Sequence, residues 1–272
     1  MTNIDRLYDC MVCGGSENKL VCEKLDAKYV SCSCCQVVRQ YPYPNQNEMD
    51  QYYTNYQTKK SIDSDYLTEE GFSVYKRDKD LTFKDLGINE KGGFTGKSIL
   101  DVGCGTGHFL KMMSEGTKLI KGIDKSEECI NVAKGNGLNC ISQDFLLEEG
   151  VYDVITMWHL IEHILNPVEF IEHAYRQLSP GGWLLIETPV IGAVSASFGE
   201  HWRFFMPVEH INLFTQNALF RSCVDHGFKI DSWVRHGSGN DGGSINASNK
   251  RAMDRIAKEF GFGDTLTVLL VK

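Results

Sequence analysis

No uninterrupted apolar run in this 272-residue chain reaches the roughly eighteen residues that a membrane-spanning helix needs. The opening segment Met1-Thr2-Asn3-Ile4-Asp5-Arg6 also lacks the basic and apolar regions of a signal peptide, so a cytoplasmic protein is expected. Dense Lys/Arg runs are missing too: 28 Lys and Arg stand against 36 Asp and Glu, a formal net charge of −8. A phosphate backbone would meet an unfavourable mean field, which argues against nucleic acid as substrate and leaves Lys59-Lys60 and Lys76-Arg77 as solvated faces. With 42% hydrophobic and 24% charged residues, the chain does not have the composition of a disordered segment. The length suits one ordinary α/β domain plus a small appendage.

Cysteine, by contrast, is concentrated. Six of the ten cysteines fall within the first 35 residues, and four form Cys10-x2-Cys13 and Cys32-x2-Cys35. Two such knuckles supply four thiolates, enough to close a tetrahedral Zn²⁺ shell, and the intervening length matches a zinc ribbon. Four thiolates leave no open coordination position, so the metal is expected to be structural. A disulfide framework would want secretion, and a redox pair would want a βαβ unit around the motif. Cys34 and Cys22 stand as alternative ligands. The scattered Cys104, Cys129, Cys140 and Cys223 read as small buried hydrophobes.

The second concentration is glycine. Asp101-Val102-Gly103-Cys104-Gly105-Thr106-Gly107 follows the apolar run Ser98-Ile99-Leu100 and opens into a helix-like segment. Alternate glycines tolerate φ > 0 and let a ligand approach the backbone, while the free N–H groups of the next helix face that ligand. Asp124 ends the next apolar strand at the distance where ribose hydroxyls are met, with Lys125 following it. Gln143-Asp144-Phe145 then offers an acid for an exocyclic amine and a ring for a base.

The spacing is Gly-x-Gly-x-Gly rather than the Gly-x-Gly-x-x-Gly of pyrophosphate binders. It resembles the class I S-adenosylmethionine-dependent methyltransferases. The resemblance continues through Tyr152-Asp153-Val154-Ile155-Thr156-Met157-Trp158, Leu178-Ser179-Pro180-Gly181-Gly182 and Leu184-Leu185-Ile186-Glu187, and covers roughly residues 90–235. It implies a cofactor site built from Asp101, Gly103, Cys104, Gly105, Asp124, Lys125, Asp144, Phe145 and Trp158. It also implies an α/β, Rossmann-like, seven-stranded methyltransferase sheet whose last strand is antiparallel, with a small N-terminal zinc ribbon and a helical lid.

Periodicity divides the chain into a ribbon over 1–45, a helical linker or lid over 46–92, and the sheet domain over 93–272. Strands are expected near 97–102, 119–124, 138–141, 152–157, 182–188, 228–234 and 265–271, and helices near 107–115, 126–136, 167–178, 216–227 and 247–260. A helical pattern runs from Glu48 to about Leu86; methyltransferases of this kind cover the cofactor with such a segment, which brings Tyr53, Tyr56, Tyr75 and Arg77 toward cofactor or substrate. Residues 237–243 read as a surface loop.

Ligands in open α/β sheets sit beyond the carboxyl ends of the strands, so two segments are candidates for chemistry. The first, Trp158-His159-Leu160-Ile161-Glu162-His163, contains a metalloprotease-like His-x-x-Glu-His, but Pro167 and the strand before it argue against that reading. The second runs from His201 to Thr215 and is aromatic and polar at once, as a pocket wall would be. Its Glu209-His210, with Phe214 and Thr215, resembles the Glu-His-x-x-x-Phe-Ser element of methyltransferases that carry an amino-terminal zinc ribbon, among them sugar C-methyltransferases. In those relatives the Glu-His pair lies in the active site and the histidine acts as base. This implies His210 as base and Glu209 as its partner, with His159 as the second candidate. Thr215 replaces Ser, and Gln36 stands where such ribbons have Gly.

The expected protein is a cytoplasmic, zinc-containing, S-adenosylmethionine-dependent methyltransferase for a small polar molecule such as a nucleotide-linked sugar. The rivals are an RNA methyltransferase that grips RNA with its ribbon, and a cofactor-binding regulatory protein without turnover.

Overall fold

The computed structural model describes residues 8–53, 68–114, 116–239 and 246–272. The amino-terminal ribbon contributes β1 (Asn18–Lys24), β2 (Ala27–Cys32) and β3 (Val38–Tyr41), paired antiparallel in sequence order. Helices α1 (Gln46–Tyr52) and α2 (Glu69–Asp85) follow. Asn45 and Thr68 cap them, each accepting a backbone N–H of the first turn. Of the helical pattern expected over 48–86, the described residues carry α1 and α2; residues 54–67, Tyr56 among them, lie outside the described residues.

The sheet domain alternates strand and helix: β4 (Ser98–Val102), α3 (His108–Met113), β5 (Leu119–Asp124), α4 (Glu127–Gly135), β6 (Cys140–Ser142), β7 (Tyr152–Trp158), α5 (Pro167–Gln177) and β8 (Leu178–Ile191). Then come α6 (Ala193–Phe198), β9 (Asn212–Thr215), α7 (Gln216–Asp225), β10 (Lys229–His236), α8 (Ala247–Glu259) and β11 (Thr265–Val271). Strands β4 to β8 pair in parallel, and β11 enters antiparallel between β8 and β10. The order β6-β5-β4-β7-β8-β11-β10 reproduces the expected seven strands.

The sheet is larger than expected, with eleven strands among the described residues. The missed element is β9, four residues with polar ends. It pairs parallel with the tip of β8 through Val190↔Phe214 and Ile191↔Thr215. On its other edge it pairs antiparallel with β3 through Val38↔Leu213 and Arg39↔Asn212. The ribbon is thus hydrogen-bonded into the main sheet.

Central strands are buried on both faces, as parallel sheets covered by helices must be. Alternate residues serve two cores. Leu100, Ile155, Leu184 and Val268 pack with Ile171 of α5 and Leu219 of α7. Their neighbours Ile99, Val154, Leu185 and Leu269 pack with Phe83 of α2 and Phe109 of α3 on the opposite face. This second core seats α2 beside the carboxyl ends of β7 and β8. No helix among the described residues is long and apolar enough to cross a membrane.

Candidate active site

The glycine turn after β4 opens a cavity of about 650 Å³. Gly103, with φ 72°, has no room for a side chain, because a Cβ there would lie 2.8 Å from Leu160 Cδ1. Gly105, with φ 52°, differs: both glycines border the cavity, but a Cβ at 105 would meet nothing within 4 Å. Gly103 therefore also makes room for Leu160, while Gly105 leaves an open cradle for a ligand.

Asp124 lines the same cavity. Its carboxylate accepts from Gly105 N at 2.9 Å and Ser126 N at 2.8 Å, which fixes both its orientation and the turn. Burial raises its pKa, and the backbone N–H groups counter that shift. Asp144 and Phe145 also face the cavity. Lys125 Nζ pairs with Asp144 at 2.8 Å. Three of the expected cofactor residues stand elsewhere. Asp101 is buried behind the turn, accepts from Thr156 Oγ1 at 2.7 Å, and is pushed by burial to about 7. The Cys104 side chain packs with Leu110 and Ile130. Trp158 packs on Phe83 and Phe109 with Lys79 Nζ 3.7 Å from its ring centroid.

Beyond β7 the chain turns through His159 (φ 49°) into a short 3-10 turn, Ile161–His163. Ile211 N donates to Glu162 O at 2.9 Å, which draws the 201–215 segment against this turn. Glu162, His163 and His210 are brought together, their ligand-type atoms all within 4.8 Å of one another. His163 lines the cavity, and its Nδ1 is buried without a hydrogen-bond partner among the described residues. The Tyr53 hydroxyl, on the same wall, is likewise buried and unpartnered. His210 lies behind His163, and its Nδ1 is 2.9 Å from Phe204 O. A carbonyl only accepts, so Nδ1 carries the hydrogen and Nε2 keeps its lone pair. Burial, with the His163 ring beside it, lowers the His210 pKa to about 4. Glu209 is buried and accepts a hydrogen bond from the Tyr52 hydroxyl of α1.

His159 has the opposite electrostatics. Its Nδ1 is 3.2 Å from Glu162 and its Nε2 is 3.3 Å from Glu187. Burial opposes its charge, but the two carboxylates overcome that penalty and raise the pKa to about 9. Glu162 is held down at about 2 despite burial, by His159, His163 and His210. Glu187 also accepts from Lys79 at 2.7 Å and Thr267 at 2.8 Å. Sequence reading missed Lys79, Glu187, Glu162 and His163 as members of one network, because only the packing of α2 and the 211–162 contact bring them together.

Among the described residues, two sets of side chains could hold a metal. The Sγ atoms of Cys10, Cys13, Cys32 and Cys35 all lie within 4.8 Å of one another, with Cys10–Cys35 and Cys13–Cys32 each at 3.5 Å. Tetrahedral zinc with bonds of about 2.3 Å would set its thiolates about 3.8 Å apart, so the four fit the ion. Cys34 and Cys22 stand outside this set. The second set is Glu162, His163 and His210, but both Glu162 oxygens are already engaged, by His159 and by Thr188.

A family model for methyltransferase domains matches residues 67–233. The chain is similar to ubiquinone biosynthesis O-methyltransferases: 29% identical over 157 residues to that of Idiomarina loihiensis and 32% over 111 residues to that of Paraburkholderia xenovorans. Those matches cover 48% and 37% of this chain, and 65% and 48% of the relatives' own length. Among solved structures, it resembles magnesium protoporphyrin IX methyltransferase from Synechocystis with bound SAH. The TM-score is 0.59 at 14% identity, over 84% of this chain and all of that one.

Proposed function

The chain belongs to the methyltransferase-domain family, and from that premise we propose that it is an S-adenosylmethionine-dependent methyltransferase acting on a hydroxyl group of a small polar molecule. One observation carries the reading. A single cavity is walled by Gly105, Asp124, Asp144 and Phe145, and also by two buried polar groups that lack hydrogen-bond partners among the described residues, His163 Nδ1 and the Tyr53 hydroxyl. The first set suits the cofactor; the second awaits an acceptor.

Bound there, S-adenosylmethionine would supply an activated methyl group on a sulfonium. The open face of Gly105 lets its backbone approach, and Asp124 is placed to accept from ribose hydroxyls. Phe145 gives a flat apolar wall for a base, with Asp144 beside it. The acceptor is oriented by the Tyr53 hydroxyl and His163. The proton released from its hydroxyl passes to the imidazole pair: His163 at the wall, with the Nε2 lone pair of His210 behind it. Glu209, anchored by Tyr52, fixes His210 in place. His159, locked between two carboxylates, is a fixed cation in this scheme rather than a base.

The choice of a hydroxyl follows the O-methyltransferase relatives. A nucleotide-linked sugar is less well matched by this wall. Among the described residues, its one lysine, Lys125, is already paired with Asp144, and Asp50, Glu128 and Glu169 add negative charge. The four-cysteine cluster is read as a structural zinc site, since its thiolates saturate the ion.

Calorimetric titration with S-adenosylmethionine and its demethylated product, with NAD as control, tests the cofactor. Micromolar binding of the first two and no heat from NAD is expected; folded protein that binds neither would overturn the reading. A panel of catechols, other small hydroxyl compounds and sugar nucleotides then tests the acceptor.

A further inference from the structure

Val208 stands immediately before the Glu209–His210 pair with φ 68°, a left-handed conformation that a β-branched residue adopts only under constraint. The constraint comes from the ribbon. Val208 N donates to the side-chain oxygen of Gln40 at 2.7 Å, and Gln40 N donates to Ile211 O at 3.2 Å. Gln40 thus grips the segment on both sides of the pair, once through its side chain and once through its backbone. A third tie comes from β2, whose buried Tyr29 hydroxyl donates to His210 O at 3.2 Å. The turn itself closes through His210 N on Met206 O at 2.8 Å.

We propose that Gln40 is a positioning residue: its side-chain oxygen holds Val208 in the left-handed turn and so sets where Glu209 and His210 stand. The ribbon then acts on the candidate site through the β3 edge rather than by touching ligand. Gln40 is not among the residues lining the cavity, and β3 reaches the segment one residue beyond the strand pairing Arg39↔Asn212. The alternative role for such an edge contact is generic stabilisation of the sheet. That role would make no distinction between Val208 and any other residue. Positioning by restraint of a strained φ does make one: glycine at 208 adopts the same conformation without strain and should no longer need the restraint.

The consequence for turnover rests on the reading of His210 as proton acceptor, whereas the restraint itself does not. The test therefore uses a double-mutant cycle read by hydrogen exchange of the His210 amide, with S-adenosylmethionine affinity as a check on folding. Gln40→Leu is expected to lower the protection of the His210 amide by about tenfold, and Val208→Gly alone to leave it within about threefold of the parent. In the Val208→Gly background, Gln40→Leu should have little further effect. Unchanged protection in Gln40→Leu, or an equal loss in both backgrounds, would overturn the proposal. If Gln40→Leu alone is unfolded, the Val208→Gly background still decides: a folded double variant with a protected His210 amide supports the restraint, and an unfolded one refutes it. Should exchange behave as expected while His210→Ala leaves methyl transfer intact, the positioning stands and the base assignment falls.

Discussion

His163 and His210 meet edge to face, ring centroids 4.8 Å apart and planes at 77°, although 3-10 turn and irregular segment place them 47 positions apart in the chain. One ring lines the cavity and the other is buried behind it, with its hydrogen committed to Phe204 O. The pair therefore offers a lone pair close to the wall without opening the core to water. A buried imidazole lowered to about 4 is neutral throughout the physiological range, which leaves its Nε2 lone pair unprotonated at rest.

Replacing His210 or His163 by alanine is expected to lower kcat by about 10²- to 10⁴-fold, the usual range for a proton-transfer residue. Affinity for S-adenosylmethionine should hold, since neither ring is in the Gly105–Asp124 part of the wall. Parallel turnover and calorimetric measurements check this; a loss of cofactor affinity that matches the loss of rate would reassign both residues to folding.

Asp124 should behave in the reverse way. Asp124→Ala removes the acceptor for Gly105 N as well as the proposed ribose partner. Charge-assisted hydrogen bonds contribute about 1.5–3 kcal/mol each, so cofactor binding should weaken by at least tenfold. An Asp124→Ala protein that binds S-adenosylmethionine normally would remove this residue from the cofactor site.

How much of this was legible beforehand follows the range of the interactions. The turn from Asp101 to Gly107 and the strand Thr265–Val271 are local patterns, glycine spacing and an apolar run, and both stand where expected. β9 was missed because its pairing with β3 lies in partners, not in its own four residues. The Lys79–Glu187 bond spans 108 positions and depends on how α2 packs across the second core. No periodicity in either segment encodes that meeting. Trp158 shows the converse: it ends strand β7 at the expected place, but the alternation of faces turns it toward Phe109.

The two shifted histidines give stability opposite dependences on pH. His159 has a folded pKa of about 9, above its ordinary 6.5, so its contribution is complete below 6.5 and is lost as pH rises through 9. His210, lowered to about 4, contributes above 6.5 and loses that contribution as pH falls toward 4. Urea unfolding across pH 4–10 should show stability falling on both sides of neutrality. His159→Gln should flatten the alkaline limb alone, and an alkaline limb unaltered in that variant would show that His159 is not held as a cation.

Lys79 and Glu187 offer the sharpest test of the buried network. Both side chains are less than 10% exposed. Lys79→Met leaves Glu187 with His159 at 3.3 Å, His236 Nε2 at 3.9 Å and the Thr267 hydroxyl, but without its shortest cationic partner. Breaking a buried pair by removing one member costs about 3–5 kcal/mol, whereas replacing both members by neutral groups can cost little. Lys79→Met should therefore lower Tm strongly, and Lys79→Met/Glu187→Gln should recover part of the loss. Recovery is limited, because Glu187→Gln also withdraws the anion that faces His159 Nε2, one of the two carboxylates that keep that ring charged. The double variant should then show His159 titrating well below about 9. If Tm recovers while the His159 titration stays put, Glu162 alone holds the imidazolium, and the link from α2 to the cavity wall does not run through Glu187.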